Sequence, residues 1–278
     1  MKFDTPFAVG LLASLALTGA AHAAFVVSYE GEAPGVQNTT ATFSAGGVET
    51  FEAMPAQTYP QSFTTSFGTS GAGSTIKGVY SSVNGNGVQI NTADQYGGAG
   101  GTGNYAVAFS NTPYSLSLTT DVAGGVNYFG FWLSALDKGN TVTLSDANNN
   151  ALFTFNPKDV INAINTTSNP SEYYGNPTDN FKGQNSGEPY VFINFFDTTG
   201  SFSKVTFSEV NFGGGYESDN HTVGHYLTMG QGTTVPLTLS VTAGVPEPAT
   251  WTMMILGVGG VGAALRTRRR RMTVASAA

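Results

Sequence analysis

The stretch Gly213-Gly214-Gly215-Tyr216-Glu217-Ser218-Asp219-Asn220-His221-Thr222-Val223 gathers the side chains best suited to chemistry. Three glycines allow a tight turn, after which Glu217, Asp219 and Asn220 offer oxygen ligands at nearly alternate spacing. Hard oxygen donors clustered with glycine suit Ca²⁺. Asp137, Asp146 or Asp197 could complete such a site from neighbouring loops. The other reading is a turn whose Asp219 and Asn220 cap backbone groups and seal the end of a sandwich. Calcium is thus a possible ligand, and no other cofactor is expected. His221 and His225 stand four apart, a metal-binding spacing on a helix. Thr222-Val223-Gly224 between them favours strand, where the two share a face about 13 Å apart. Solvent-facing or hydrogen-bonded histidines are therefore expected rather than a shared zinc site.

No catalytic residue is assigned. The sequence has three histidines and no cysteine, which removes thiol catalysis, thiolate metal sites and lipidation through cysteine. No G-x-S-x-G or H-E-x-x-H motif occurs. Acidic residues are numerous enough for the carboxylate pair of a glycosidase, yet no stretch advertises one. The protein is therefore expected not to be an enzyme, with a secreted glycan-active enzyme as the rival reading.

The C-terminal constellation is the most specific feature. Val245-Pro246-Glu247-Pro248-Ala249-Thr250-Trp251 is followed by an apolar run from Thr252 to Leu265 and then by Arg266, Arg268, Arg269, Arg270 and Arg271. The two prolines hold the strip extended and stop helix from propagating backwards. Trp251 falls where an interfacial aromatic belt would lie, and the arginines would stay cytoplasmic. Fourteen residues make a helix of about 21 Å, thin for a membrane span. An ordinary tail anchor is the bland alternative.

This order of features resembles the PEP-CTERM sorting signal, in the Trp-containing form of proteobacteria with exosortase systems. The resemblance covers Val245 to Arg271. It implies an exosortase that recognises Pro246-Glu247-Pro248, cuts near it, and releases or transfers the body to the cell surface. Such systems accompany exopolysaccharide production in Gram-negative biofilm formers. The GGGYESDNHTVG stretch and the segment YFGFWLSALDKGNTVTLSD also resemble bodies of exosortase-dependent surface proteins, which supplies a class and no chemistry.

At the other end, Met1 and Lys2 precede an apolar run from Phe7 to Ala20 and then Ala21-His22-Ala23. This is the pattern of a signal peptide cleaved by signal peptidase after Ala23, leaving Ala24 as the mature start. The expected organisation is a signal peptide (1–23), an extracellular domain (24–243), a sorting signal (244–271) and a tail (272–278). Within the sorting signal the motif spans 246–251, the transmembrane helix 252–265 and the basic cluster 266–271. Export with transient anchoring in the inner membrane follows, then the cell surface or the medium.

Of the 11 basic residues, Lys2 and all five arginines fall in the two ends; of the 18 acidic ones, only Asp4 and Glu247 do. The body therefore keeps five lysines against 16 acids, a net charge of −11. That balance offers nothing to nucleic acid.

The elements that must position these residues read as β throughout. Strands are expected at Phe25 to Tyr29, Gln61 to Phe67, Gly78 to Val83, Gly87 to Asn91, Tyr105 to Phe109, Ser115 to Thr119, Val126 to Leu133, Thr141 to Leu144, Ala151 to Phe155, Tyr190 to Phe196, Lys204 to Phe212 and Val235 to Val241. In Lys204 to Phe212, Val205, Phe207 and, after a bulge, Val210 and Phe212 would face a core. Asn84-Gly85-Asn86-Gly87 suits a hairpin turn, and Asp146 to Asn150 reads as a hairpin loop. One helix is expected, with Asn156 as N-cap, Pro157 first and Val160 to Ile164 following. Gly68 to Gly73 and Gly97 to Gly103 read as mobile loops. Asn165 to Gly187 reads as a polar excursion whose Tyr173 and Tyr174 could stack on sugar rings.

The fold class that emerges is all-β, an antiparallel two-sheet sandwich of jelly-roll-like topology with one short helix. The leading functional reading is a non-catalytic surface or matrix protein that packs beside or binds exopolysaccharide. A calcium-stabilised, carbohydrate-binding adhesin that self-associates through sheet edges is the third.

Overall fold

The computed structural model describes residues 24–31, 35–69, 75–136, 138–210 and 214–237. The expected signal peptide, the sorting motif, the apolar span and the arginine cluster lie outside the described residues, as do Asp137, Phe212, Gly213 and residues 70–73. Among the described residues, no helix is long and apolar enough to cross a membrane.

In chain order the elements are β1 (Phe25–Tyr29), β2 (Thr42–Glu49), β3 (Gln57–Tyr59), β4 (Phe63–Thr69), β5 (Thr75–Ser82), β6 (Val88–Thr92), β7 (Asn104–Ala108), β8 (Tyr114–Thr120), β9 (Tyr128–Leu133), β10 (Asn140–Ser145), β11 (Ala151–Phe155), α1 (Pro157–Asn165), β12 (Val191–Asp197), β13 (Lys204–Glu209), β14 (Tyr216–Thr228) and β15 (Thr233–Thr234). They build two antiparallel sheets. The larger runs β15-β1-β12-β9-β14-β7-β6-β3, with β2 also paired to β14; the smaller runs β11-β10-β13-β8-β5-β4. The core between them is aromatic and branched: Tyr29, Phe129, Phe131, Ile193 and Phe195 from the larger sheet meet Tyr80, Leu116, Val142, Leu144 and Phe207 from the smaller. Helix α1 forms as expected. Asn156 Oδ1 accepts from the Lys158 N–H, Pro157 opens the first turn, and Val160 and Ile164 are buried in the same core.

β9 and β12 are buried at every position, so both faces of the larger sheet are covered at its centre. That is why Tyr-Phe-Gly-Phe-Trp-Leu and Val-Phe-Ile-Asn-Phe-Phe read as continuous apolar runs rather than alternation. The outer side carries its own small clusters. Trp132, Ala135, Tyr190 and Phe192 form one; Ala41, Tyr128 and Phe196 form another, packed with Phe43 and Tyr226.

Several sequence expectations are corrected. Gly85 and Gly87 do take positive φ, but the turn joins β5 of the smaller sheet to β6 of the larger, so it is a crossover and no hairpin. The Lys204 strand ends at Glu209, which is buried, and Val210 is 66% exposed; the expected bulge that would turn Val210 inward is not there. Among the described residues a two-residue strand, Thr233–Thr234, ends just before the expected start at Val235, and residues 238–241 of that expected strand lie outside the described residues. Gly97 to Gly103 is folded as a short helical turn, Ala99–Gly101, closed by the Ala93 N–H on the Gly103 carbonyl.

β2 has no counterpart among the expected strands, and its Gly46-Gly47 pair is a poor strand former. Its glycines answer a packing demand: a Cβ on Gly47 would land on the Phe67 carbonyl of β4.

Candidate functional site

The segment expected to turn or bind a cation is β14, thirteen residues long and central in the larger sheet. One edge pairs with β9; the other pairs with β7 over Tyr216–Ser218 and then with β2 from His221 onward. The sheet forks between these partners. At the fork the register slips: Asp219 faces Trp132, the next pairing is Thr222 with Gly130, and so Asn220 and His221 together oppose Phe131. Two residues against one is a β-bulge. Asn220 takes φ 48°, a left-handed conformation that asparagine tolerates better than most residues.

The bulge decides which side chains go where. In an unbroken strand alternate residues share a face, and His221 would join Glu217 and Asp219 on the outer side. The inserted residue turns it inward beside Tyr216 and Ser218. There His221 is fully buried. Its ring stacks on Phe207 at 5.0 Å and 6°, with Phe51, Phe129 and Phe131 edge-on around it. Its Nδ1 lies 3.0 Å from the Tyr80 hydroxyl and its Nε2 3.0 Å from Ser218 Oγ, which lies 2.8 Å from the Tyr114 hydroxyl. A neutral imidazole carries one donor and one acceptor and fits between two hydroxyls. Burial alone pulls its pKa down to about 3, so it stays uncharged at neutral pH. The Ser218–His221 contact has the reach of a nucleophile and base, but it lies inside the sandwich core.

The outer side of the same strand carries carboxylates. Glu217 and Asp219 are 7% and 1% exposed. Asp219 Oδ2 accepts from the Ala99 N–H at 2.7 Å and Oδ1 from the Asn220 N–H at 2.6 Å. Burial raises the pKa of Asp219 to about 7; the two backbone bonds oppose that rise, and the charges of Glu52 and Glu49 add to it. The 93–103 loop that supplies Ala99 is held in turn by the 165–190 excursion. Asn176 Nδ2 donates to the Gln95 carbonyl at 3.1 Å, the Tyr190 hydroxyl to the same carbonyl at 2.6 Å, and Asn180 Nδ2 to the Gly101 carbonyl at 2.9 Å. Beneath them Trp132 packs on Tyr190 at 5.8 Å.

The structure therefore unites Glu217 and Asp219 on one covered face, while the Asn220 amide turns away to donate to the Gln37 carbonyl at 2.8 Å. Asp146 organises the β10–β11 hairpin, accepting from Asn150 Nδ2 and from the N–H groups of Asn150 and Asn148, and those bonds, the Asn150 side chain's first, hold its pKa below the usual range. Asp197 ends β12 next to Phe196, which pairs with Tyr128; Asp219 pairs with Trp132, four residues along β9. Among the described residues, no group of three or more His, Cys, Asp or Glu could hold a metal ion. Asp197 is 1% exposed: its Oδ1 accepts from the Thr199 and Gly200 N–H groups, whereas its buried Oδ2 has no partner among the described residues.

His225 is hydrogen-bonded as expected, its Nδ1 2.8 Å from the Gly125 carbonyl. Tyr173 is corrected from an exposed platform to a buried anchor, edge-on to Tyr29 at 5.8 Å and donating to the Gly31 carbonyl at 2.7 Å. Tyr174 is half-buried and donates to Asn165. A groove of about 520 Å³ opens elsewhere, lined by Ser117, Thr119, Asp146, Asn149, Ser203 and Lys204 among others. Tyr80, Tyr114 and Ser218 escaped the sequence reading. The alternation Tyr216, Ser218 before a bulge-prone Asn220 was the one signal that could have found Ser218.

Comparison with known proteins adds a second locus. Residues 244–270 match the family model of the PEP-CTERM protein-sorting motif, so the chain carries that motif, which directs exosortase-dependent sorting to the cell surface. The solved K2 cleaved adhesin domain of Lys-gingipain (Kgp) is similar at 17% identity with a TM-score of 0.36, over 64% of this chain and 99% of that one. No curated protein matches.

Proposed function

We propose that this is a non-catalytic cell-surface or extracellular-matrix protein of a biofilm-forming bacterium. A signal peptide exports it, the inner membrane holds it transiently, and an exosortase processes it near Pro246-Glu247-Pro248. The observation that carries the reading is the sorting motif at 244–270 on the chain of a β-sandwich body. Supporting it, the residues of that body best suited to chemistry are used to hold the fold: Ser218 and His221 bond inside the core, and Asp219 bonds the backbone of a covering loop. On this reading the body is a jelly-roll-like display scaffold that packs beside exopolysaccharide. The open groove beside Lys204, rich in hydroxyl and amide groups, is where such a chain would lie.

Deleting Val245 to Ala278 tests the sorting half: surface display should be lost, and unchanged localisation would sink it. Incubating the processed protein with the organism's own exopolysaccharide tests the other half. Binding without turnover is expected, and depolymerisation would make the protein a glycan-active enzyme instead.

A further inference from the structure

The first strand begins at Phe25, immediately after the residue that signal cleavage would expose. Phe25 pairs with Asp197, so the start of β1 lies against the end of β12. The Ala24 carbonyl accepts from the Thr198 N–H at 2.9 Å and from its hydroxyl at 2.8 Å. The Ala24 N–H donates to Thr199 Oγ1 at 3.0 Å, and that hydroxyl lies 3.4 Å from Asp197 Oδ1. Asp197 Oδ2 is buried with no partner among the described residues. A buried carboxylate oxygen without a donor is costly, and the Thr199 hydroxyl links this carboxylate, through Oδ1, to the backbone nitrogen that signal cleavage would expose.

We propose that Asp197 is the counter-ion of the mature N-terminus: cleavage after Ala23 creates an α-ammonium at Ala24 that pairs with this carboxylate across Thr199. The proposal rests on the signal-peptide reading. In the uncleaved chain the Ala24 nitrogen is an amide with one hydrogen, already given to Thr199. Hydrolysis of the Ala23–Ala24 bond consumes one water, leaves a carboxylate on Ala23 and turns the Ala24 nitrogen into an ammonium with three hydrogens and a positive charge. One hydrogen keeps the Thr199 bond and the others can reach the carboxylate, as a charge-assisted bond roughly twice as strong as a neutral one. Tyr226 also senses Asp197; burial first and this carboxylate second raise its pKa. Processing would then complete the edge of the larger sheet, because the charge that closes it does not exist before cleavage.

The test uses the full chain, exported and processed in its host. Mass spectrometry reads the mature start, and the amine is titrated by NMR through the Ala24 ¹³Cα and ¹³Cβ shifts of ¹³C-labelled protein, which leaves its three hydrogens in place. A start at Ala24 with a midpoint at least one pH unit above the ordinary value of about 8 is expected. The midpoint should return to that value in Asp197→Asn. It should return as well when Gly-Ser is inserted between Ala23 and Ala24, which moves the amine by about 7 Å and keeps Asp197 should the substitution prevent folding. A midpoint near 8 in the unmodified protein, or one unmoved by the insertion, overturns the pairing. A mature start elsewhere overturns the proposal at its premise, and so separates that failure from the other.

Discussion

The two faces of β14 bury polar groups in opposite ways. Inward, His221 sits between two hydroxyls inside an aromatic cage and is kept neutral because burial penalises its charged form. Outward, Asp219 is nearly as buried but is held by backbone N–H groups of the loop above it and of its own neighbour, and burial raises its pKa instead. The same desolvation thus acts with opposite sign on a base and an acid. A single inserted residue, Asn220, assigns each group to its face.

Asn220→Pro should break the comparison most severely. Proline fixes φ at about −65° and cannot hold the bulge at 48°. The strand would have to run unbroken, turning His221 outward and bringing Thr222 and Gly224 to the core, at a cost expected to exceed about 5 kcal/mol, enough to unfold a typical domain. A soluble protein with an unchanged melting temperature would refute the bulge argument. Next, His221→Ala should cost about 3–5 kcal/mol in a denaturant titration, from the lost ring contacts and the stranded Tyr80 hydroxyl.

Stability against pH sharpens the contrast. The His221 pKa is lowered, so its contribution is present above pH 6.5 and is lost as pH falls towards about 3. The Asp219 pKa is raised, so its contribution is present below pH 3.8 and is lost as pH rises to about 7. Between about pH 4 and 6.5 the two slopes oppose and should cancel. Asp219→Asn should therefore expose a loss of stability towards acid, on the order of 2 kcal/mol across that window, and His221→Phe the mirror image. Parallel pH profiles for both variants would show that neither group titrates as described. Smallest of all, Asn220→Gly keeps the left-handed residue and loses only the bond to Gln37, so a cost of about 1 kcal/mol or less is expected from thermal melting.

How much of this was legible depended on how many faces each strand buries. β1 and β11 were read with their observed bounds, because apolar residues there stand between clear turn signals. Helix α1 was legible from Asn156 and Pro157, whose preferences at a helix start are local. β14 was not, because Glu, Ser, Asp, Asn and His follow one another where a strand with one wet face would alternate. Its polar residues are buried on both sides, a pairing that only tertiary contacts with β9, β7 and the 93–103 loop reveal. The Asn84 to Gly87 turn shows a related limit: its residues dictate positive φ, but nothing local says that the next strand joins the other sheet. Glu217, Asp219 and Asn220 were recognised as neighbours in sequence, yet the bulge sends the Asn220 amide away from the carboxylates.

The edge made by β1 and β15 has a mechanical side. β15 is held to β1 by two residue pairs, Ser28–Thr234 and Tyr29–Thr233, and by the Val235 N–H on the Val27 carbonyl. β1 itself grips β12 through five pairs. A load applied from the C-terminal side meets the short ladder first. It must peel those bonds and draw Val235 and Leu237 off the core before any slack appears, while the five-pair ladder stays closed. Such an edge behaves as a weak link placed ahead of the core, yielding under shear or tethering before the sandwich does.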